Sequence, residues 1–531
     1  MNYAEQPSRP IVMGTNGMVA CGQPLASEAG IRVLQDGGNA IDAAVTAAGV
    51  LAVTKPDANA VGGDVFMLYY DAAADKVESL NGSGRAPAAV SVDTYREGIP
   101  AGGPHSISVP GIVRGWADAL ERYGTISLAD ALAPAIRYAE EGFPVSVRLS
   151  SRLALGAELL RRCRAAAETY LKDGQPYQPG ELLKLPELAE SLKMIAREGP
   201  DAFYRGDLAR RIVEAHREDG GYFTVEDFAR QDSVIGEPLS IDYRGYQVYN
   251  QRPVSIGAVL LEELKIVEGF DLASLAWDSA ERIHLLVEAK KLAFADLEAH
   301  ITDPGFADLP LGGLLSAEYA AERRALIDPK RASDAYPAGD PAQYGSHTTY
   351  MAVVDGRGNA VSWIQTVFAR FGSGWVAPGT GILFNNRMTG FSIDPRHINR
   401  VEGGKRTAHT LNAPMAFRSG KPCVVFGTPS AYGQVQSNLQ LLTNFVDYGF
   451  DVQSMIEAPR WVTQRGPRRL AIESRHAPAT LNGLRKLGHE LDVQPPWTDM
   501  MGGAQAIRIN DRSGVLEGAA DPRREGYAIG F

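Results

Sequence analysis

The run Val65-Phe66-Met67-Leu68-Tyr69-Tyr70 is apolar at six successive positions, so a strand built from it presents apolar side chains on both faces. Such a strand has to be covered from both sides. Gly62-Gly63 breaks the chain just before it, Asp71 to Asp75 turns it just after, and Val77 to Leu80 begins another strand. Upstream, the spacing predicts helices over Pro24 to Leu34 and Ala40 to Leu51, joined at Gly37-Gly38. Ala43, Ala44, Ala47 and Ala48 let the second helix pack closely against a neighbouring layer. A layered α/β or α+β architecture follows.

Helical periodicity continues over Ser127 to Glu141, Leu153 to Leu171, Leu185 to Arg197 and Ser279 to Ala299, the last carrying Ile283, Leu286, Val287, Leu292 and Phe294. From about 329 to 347 the periodicity stops and Pro337 and Pro341 interrupt the chain, which reads as an exposed connector. Beyond it strands dominate, at Tyr350 to Val354, Ala360 to Gln365 and Val424 to Phe426. A helix-rich part thus precedes a strand-rich part.

The connector ends at Ser346-His347-Thr348-Thr349-Tyr350. Thr348 to Asp355 and Ala360 to Thr366 form a hairpin around Gly356-Arg357-Gly358, and pairing Asp355 with Asn359 sets Thr348 directly opposite Thr366. A threonine hydroxyl becomes a good nucleophile when a nearby base takes its proton, and an α-amino group newly exposed on the same residue can be that base. Cleavage between His347 and Thr348 would create it. Taken alone, the same residues also describe an ordinary threonine-rich hairpin.

Composition narrows the remaining choices. The 531 residues carry 53 basic and 63 acidic side chains, a net charge of −10, with no basic stripe interleaved with aromatics, so nucleic acid is not an expected partner. No stretch of about 18 apolar residues or signal-like N-terminal segment stands out, so a cytoplasmic protein without a membrane span is expected. Cys21, Cys163 and Cys423 are too few and too far apart for a disulfide framework or a zinc site, and they suit the role of small buried hydrophobes. No cofactor or metal is implied, because no cluster of His, Cys or carboxylate residues has ligand spacing and the glycine pairs are too short for nucleotide loops.

A series of short motifs, weak singly but specific in their shared order, resembles the γ-glutamyltransferase family of N-terminal-nucleophile hydrolases. These are Pro24 to Gly30, Gly37 to Ala44, Val109-Pro110-Gly111, Glu141 to Ser146, Phe203 to Gly206, Tyr243 to Tyr246, Gly381 to Asn386 and Gly404-Lys405-Arg406. The resemblance implies an α+β protein with a four-layer αββα sandwich, built from two intertwined pieces of one precursor. Residues 1–347 would be a large subunit and 348–531 a small one, together one structural domain, with further oligomerisation left open. It makes Thr348 the nucleophile and Thr366 its hydrogen-bond partner. In the family two glycine amides after a Thr/Ser-Pro pair hold the oxyanion. Here Thr428-Pro429 is followed by Ser430-Ala431, whose N–H groups serve equally if neither position needs a positive φ. Arg85 matches the arginine that holds the substrate carboxylate, and His409-Thr410 replaces a serine pair that contacts it; both residues can donate hydrogen bonds there.

The pattern departs where γ-glutamyl enzymes hold the substrate ammonium. Their asparagine two residues beyond the second threonine is Phe368, their aspartate is Gly390, and Arg387 is added nearby, with Arg370 close in sequence. An ammonium finds no carboxylate at either position, and a buried unpaired charge is costly. The expected reaction is therefore cleavage of a small carboxylate-bearing amide through an acyl-enzyme. This resembles non-γ-glutamyl members such as oxamate amidohydrolase and some cephalosporin acylases, with Phe368 narrowing the pocket. The alternatives are a true γ-glutamyltransferase or glutathione hydrolase and an unprocessed binding protein.

Overall fold

A computed structural model describes residues 9–334, 336, 348–465 and 469–531. Two seven-stranded antiparallel sheets are stacked face to face. The first runs in the order Tyr527–Gly530, Gly17–Cys21, Thr348–Asp355, Ala360–Thr366, Asp64–Asp71, Lys76–Gly82 and Val234–Gly236. The second runs Val12–Gly14, Leu516–Ala520, Gln505–Ile509, Lys421–Gly427, Met415–Arg418, Tyr246–Asn250 and Leu239–Tyr243.

Alternate residues of each strand point to opposite faces, and this builds three cores from two sheets. Phe66, Leu68, Tyr350, Ala352 and Ile364 meet Met415, Phe417, Val425 and Ile507 between the sheets. Met67, Met351, Val353 and Trp363 face outward against the alanine-rich helix Ala40–Thr54 and its neighbours. On the far side, Val424 and Phe426 pack with the helices Gly257–Glu268, Ala280–His300 and Gly433–Tyr448. The protein is an αββα sandwich. The buried run Val65 to Tyr70 sits where its two-sided apolarity requires, in a strand with a core on each face.

One expectation needs correction. The segment Leu153 to Leu171 is two helices, Val147–Arg161 and Arg164–Tyr170, because Cys163 is extended and caps the second one. Among the described residues fourteen α-helices precede the connector and three follow it, while twelve strands follow it; both sheets nevertheless draw strands from before and after the connector, and the later part contributes the 16-residue helix Gly433–Tyr448. That helix is buried along nearly its whole length, which weakens the one-sided apolar pattern that marks a surface helix. Most of the expected connector, and His347 with it, lies outside the described residues. Among the described residues no helix is long and apolar enough to cross a membrane.

Candidate active site

The hairpin adopts the expected register: Asp355 N–H donates to Asn359 O at 3.1 Å, and Thr348 pairs with Thr366. Both threonines are fully buried, and Thr348 Oγ1 donates to Thr366 Oγ1 at 3.2 Å. Thr366 Oγ1 also accepts the Phe368 N–H at 2.8 Å.

The row extends one strand further. Thr366 is paired with Asp64 on the next strand, so Thr348, Thr366 and Asp64 project from the same face on three adjacent strands. Asp64 is the residue the sequence reading missed, and it corrects the picture of a site without an anion. Its oxygens, however, are occupied: Oδ1 accepts Gly84 N–H at 2.9 Å, and Oδ2 accepts His409 Nε2 at 3.1 Å and Arg387 Nε at 3.4 Å. A side chain on Gly84 would collide with the Val109 carbonyl, and one on Gly63 with the Thr366 carbonyl, so glycine is required where the chain closes around this carboxylate. The available signal was an acid heading an otherwise apolar strand.

His409 is fully buried, with Nε2 on Asp64 and Nδ1 accepting the Leu411 N–H at 3.3 Å. Burial and the neighbouring Arg387 cation push its pKa down to about 4, so its ring is neutral. Both ring nitrogens are engaged, which corrects the expectation that His409 donates to a substrate. Thr410 Oγ1, by contrast, is buried with no partner among the described residues.

Arg387 is 1 % exposed. Its Nε faces Asp64, its guanidinium carbon lies 4.0 Å from the centre of the Phe368 ring, and Nη1 and Nη2 have no hydrogen-bond partner among the described residues. Burial lowers its pKa to about 10, so it remains a cation at neutral pH. Phe368 holds a left-handed backbone, φ 78°, which is strained for a bulky residue. Beside it a cavity of about 160 Å³ is lined by Phe368, Gly390, Tyr432, Leu297 and the Glu298–His397 pair.

Arg85 stands just beyond Gly84, part-exposed, with its guanidinium on Asp232 and the Gly404 carbonyl, both at 3.2 Å. Arg406 shares Asp232.

The loop after the Lys421–Gly427 strand carries Ser430 at φ 137° and Ala431 at φ 48°. Both therefore have the positive φ that the sequence reading set as the condition against them, and the chain holds them there despite their side chains. Ser430 Oγ donates to Met500 O at 2.8 Å and Thr428 Oγ1 accepts Gly503 N–H at 3.0 Å, which ties the loop down. Among the described residues neither the Ser430 nor the Ala431 N–H has an acceptor. Both stand at the N-terminus of the Gly433–Tyr448 helix, where the helix dipole favours negative charge. The Asp499–Met500 segment connects this loop to Thr348, because Arg524 donates both to Thr348 O at 3.4 Å and to Asp499 O at 3.3 Å.

A separate cluster, His284, Glu288 and His489, brings potential metal-ligand atoms within 4.8 Å of one another. His284 is bonded to His489 and to the Asp328 carbonyl, and Glu288 to Lys291 and Tyr336. Of the ligand atoms in this cluster, His489 Nδ1 alone has no hydrogen-bond partner among the described residues.

The stacked sheets and enclosing helix layers, with a buried threonine pair at a sheet end, define an enzyme of the N-terminal-nucleophile hydrolase class. The family model described as Gamma-glutamyltranspeptidase matches residues 26–531, and the chain belongs to that family. It is 42% identical over 527 residues to the glutathione hydrolase-like YwrD proenzyme of Bacillus subtilis (strain 168), covering 98% of this chain and 99% of that one. It is 36% identical over 531 residues to the oxamate amidohydrolase proenzyme of Klebsiella pneumoniae, covering 98% and 99%. The crystal structure of cephalosporin acylase from Bacillus halodurans superimposes with a TM-score of 0.94 at 36% identity, covering 100% of this chain and 98% of the other.

Proposed function

We propose that the protein is a self-processing threonine amidohydrolase whose substrate is a small amide bearing a carboxylate on its acyl half, as in oxamate. The precursor is cut between His347 and Thr348 into a large subunit, 1–347, and a small one, 348–531. The freed Thr348 amine, with a pKa near about 8 in model compounds, takes the proton of its own Oγ1 as that oxygen attacks the amide carbonyl. The Ser430 and Ala431 N–H groups receive the oxyanion, the amine protonates the departing nitrogen, and water resolves the acyl-enzyme.

The substrate reading is carried by one observation, the buried Arg387 with two unpartnered Nη groups beside the Thr366–Phe368 turn. A planar fork of N–H donors fits a carboxylate with two parallel bonds. Arg387 suits this role better than Arg85, which is already engaged by Asp232. Thr410 Oγ1 is a further buried donor for the same group.

A second reading, a true γ-glutamyl enzyme, is favoured by Glu298, a carboxylate lining the cavity next to Phe368 and Gly390 where an ammonium could be held. Steady-state rates on oxamate and on a γ-glutamyl anilide separate the two. The first reading predicts turnover of oxamate with little of the anilide, and efficient γ-glutamyl transfer to dipeptides would defeat it.

A further inference from the structure

Thr348 has two unlike flanks. Towards the strands Ala360–Thr366 and Asp64–Asp71 lies the acyl side just described. The other flank, towards Gly17–Cys21 and Tyr527–Gly530, holds a concentration of cations in a protein whose net charge is −10.

Arg524 is its inner member, reaching the Thr348 carbonyl itself. Its Nε is buried with no partner among the described residues. Burial, with Arg148 and Arg152 nearby, holds its pKa down at about 9. Arg148 and Arg152 lie one turn apart on the helix Val147–Arg161 and share a single carboxylate, Asp499. Arg152 also feels Arg370. The remaining acids are Asp57, which forms no salt bridge with Arg148, Arg152 or Arg524, and Glu525, which is bound by Lys55 and Ser146. Asp521, the next nearest, is taken by Arg460 and Arg523.

Four cations (Lys55, Arg148, Arg152 and Arg524) thus face three carboxylates (Asp57, Asp499 and Glu525), an excess of one positive charge among the described residues. Packing several guanidinium groups together at the edge of a buried site is unfavourable unless an anion joins them. The contrast with the adjacent Arg523 is direct. Its Nε, Nη1 and Nη2 all have acceptors, on Glu473, Asp521, Ile456 and Ala458. Arg523 is a finished structural ion pair; Arg524 is not.

An amide laid across Thr348 has its acyl half on one flank and its amine half on the other. We propose that Arg524, Arg152 and Arg148 form the subsite for the amine half, and that this half is an α-amino dicarboxylate of the aspartate or glutamate type. The assignment rests on the amidohydrolase reading given above. In the first step the bond from Thr348 Oγ to the acyl carbon forms and the C–N bond breaks. The nitrogen takes the proton held by the Thr348 amine and leaves as the amino dicarboxylate; water then supplies the oxygen that releases the acid.

The test is calorimetric titration of the full-length protein with L-aspartate and L-alanine, in wild type and in the Arg152→Gln, Arg524→Gln and Arg148→Gln variants. The Arg148 variant changes a part-exposed helix position, so it provides a folded protein if the inner variants do not. Aspartate is expected to bind at least tenfold more tightly than alanine, to lose tenfold or more in each variant, and to weaken with added salt. Equal binding of the two amino acids, or variants that bind aspartate as wild type does, would overturn the proposal. In turnover, the kcat/KM ratio of N-oxalyl-aspartate to oxamate should exceed ten and fall in the variants. An enzyme active on oxamate but indifferent to aspartate defeats only this subsite. A protein inert on every amide that still binds aspartate through Arg152 defeats only the hydrolase reading.

Discussion

The guanidinium carbon of Arg387 lies 4.0 Å from the centre of the Phe368 ring, so a buried cation stands against the Thr366–Phe368 turn. Asp64 anchors Arg387 through Nε, and the aromatic face holds the guanidinium in place, leaving the Nη groups to a ligand.

Replacing Arg387 should therefore damage recognition of carboxylate substrates more than anything else. Charge-assisted hydrogen bonds contribute about 1.5 to 3 kcal/mol, so Arg387→Met should lower kcat/KM on oxamate by roughly ten- to a hundred-fold, chiefly through KM. Arg85→Ala should cost less. If Arg85→Ala raises KM more than Arg387→Met does, the carboxylate sits at the other arginine.

Thr348→Ala should yield a single uncut chain without turnover, because one hydroxyl serves both the cut and the catalysis. Thr348→Ser retains a hydroxyl and should be cut at the same bond. Denaturing electrophoresis with N-terminal sequencing of the smaller band checks both. Normal processing of the alanine variant would move the nucleophile elsewhere.

The Thr348–Thr366 pairing is legible in the sequence because a short turn joins the two strands, so one contact, Asp355 to Asn359, sets every pair of the hairpin. Asp64 is not legible in the same way: its strand pairs with Ala360–Thr366 across nearly three hundred residues of chain, with no turn to set the register. Periodicity also leaves the Gly433–Tyr448 helix unseen, since a helix buried all round has no polar face to reveal its period. The run Val65 to Tyr70 succeeds for the complementary reason: apolarity on both faces of a strand demands a covering layer on each side, and it has a core on each face.

The Ser430–Ala431 loop offers a test in which stability should rise. Ser430 and Ala431 hold positive φ angles that cost a residue with a side chain about 1 to 2 kcal/mol. Part of this returns as unfolded-state entropy when glycine is introduced. Ala431→Gly should therefore stabilise the protein by about 0.5 to 1 kcal/mol in denaturant unfolding while keeping its activity, since the donor is the backbone N–H. Destabilisation would mean that the Ala431 methyl contributes packing that outweighs the strain.

Acid should destabilise the fold, and His409 should account for a measurable share. Burial, aided by Arg387, holds His409 at about 4; burial likewise holds His216 at about 4 and His489 at about 3. Unfolded, each ring would protonate near about 6.5. Between these values the unfolded chain takes up protons that the folded one refuses, so the stability present above pH 6.5 is lost as the pH falls through about 4. For His409 the gap is worth roughly 3 kcal/mol. Glu263, raised to about 8 by burial, works in the opposite sense, favouring the fold at lower pH across its own range. Comparing wild type with His409→Gln removes that background: denaturant unfolding at pH 7.5 and pH 4.5 should show a smaller acid loss in the variant, by about 2 to 3 kcal/mol. Equal losses in the two proteins would mean that His409 becomes charged within the fold, with Asp64 compensating the imidazolium better than the adjacent Arg387 opposes it.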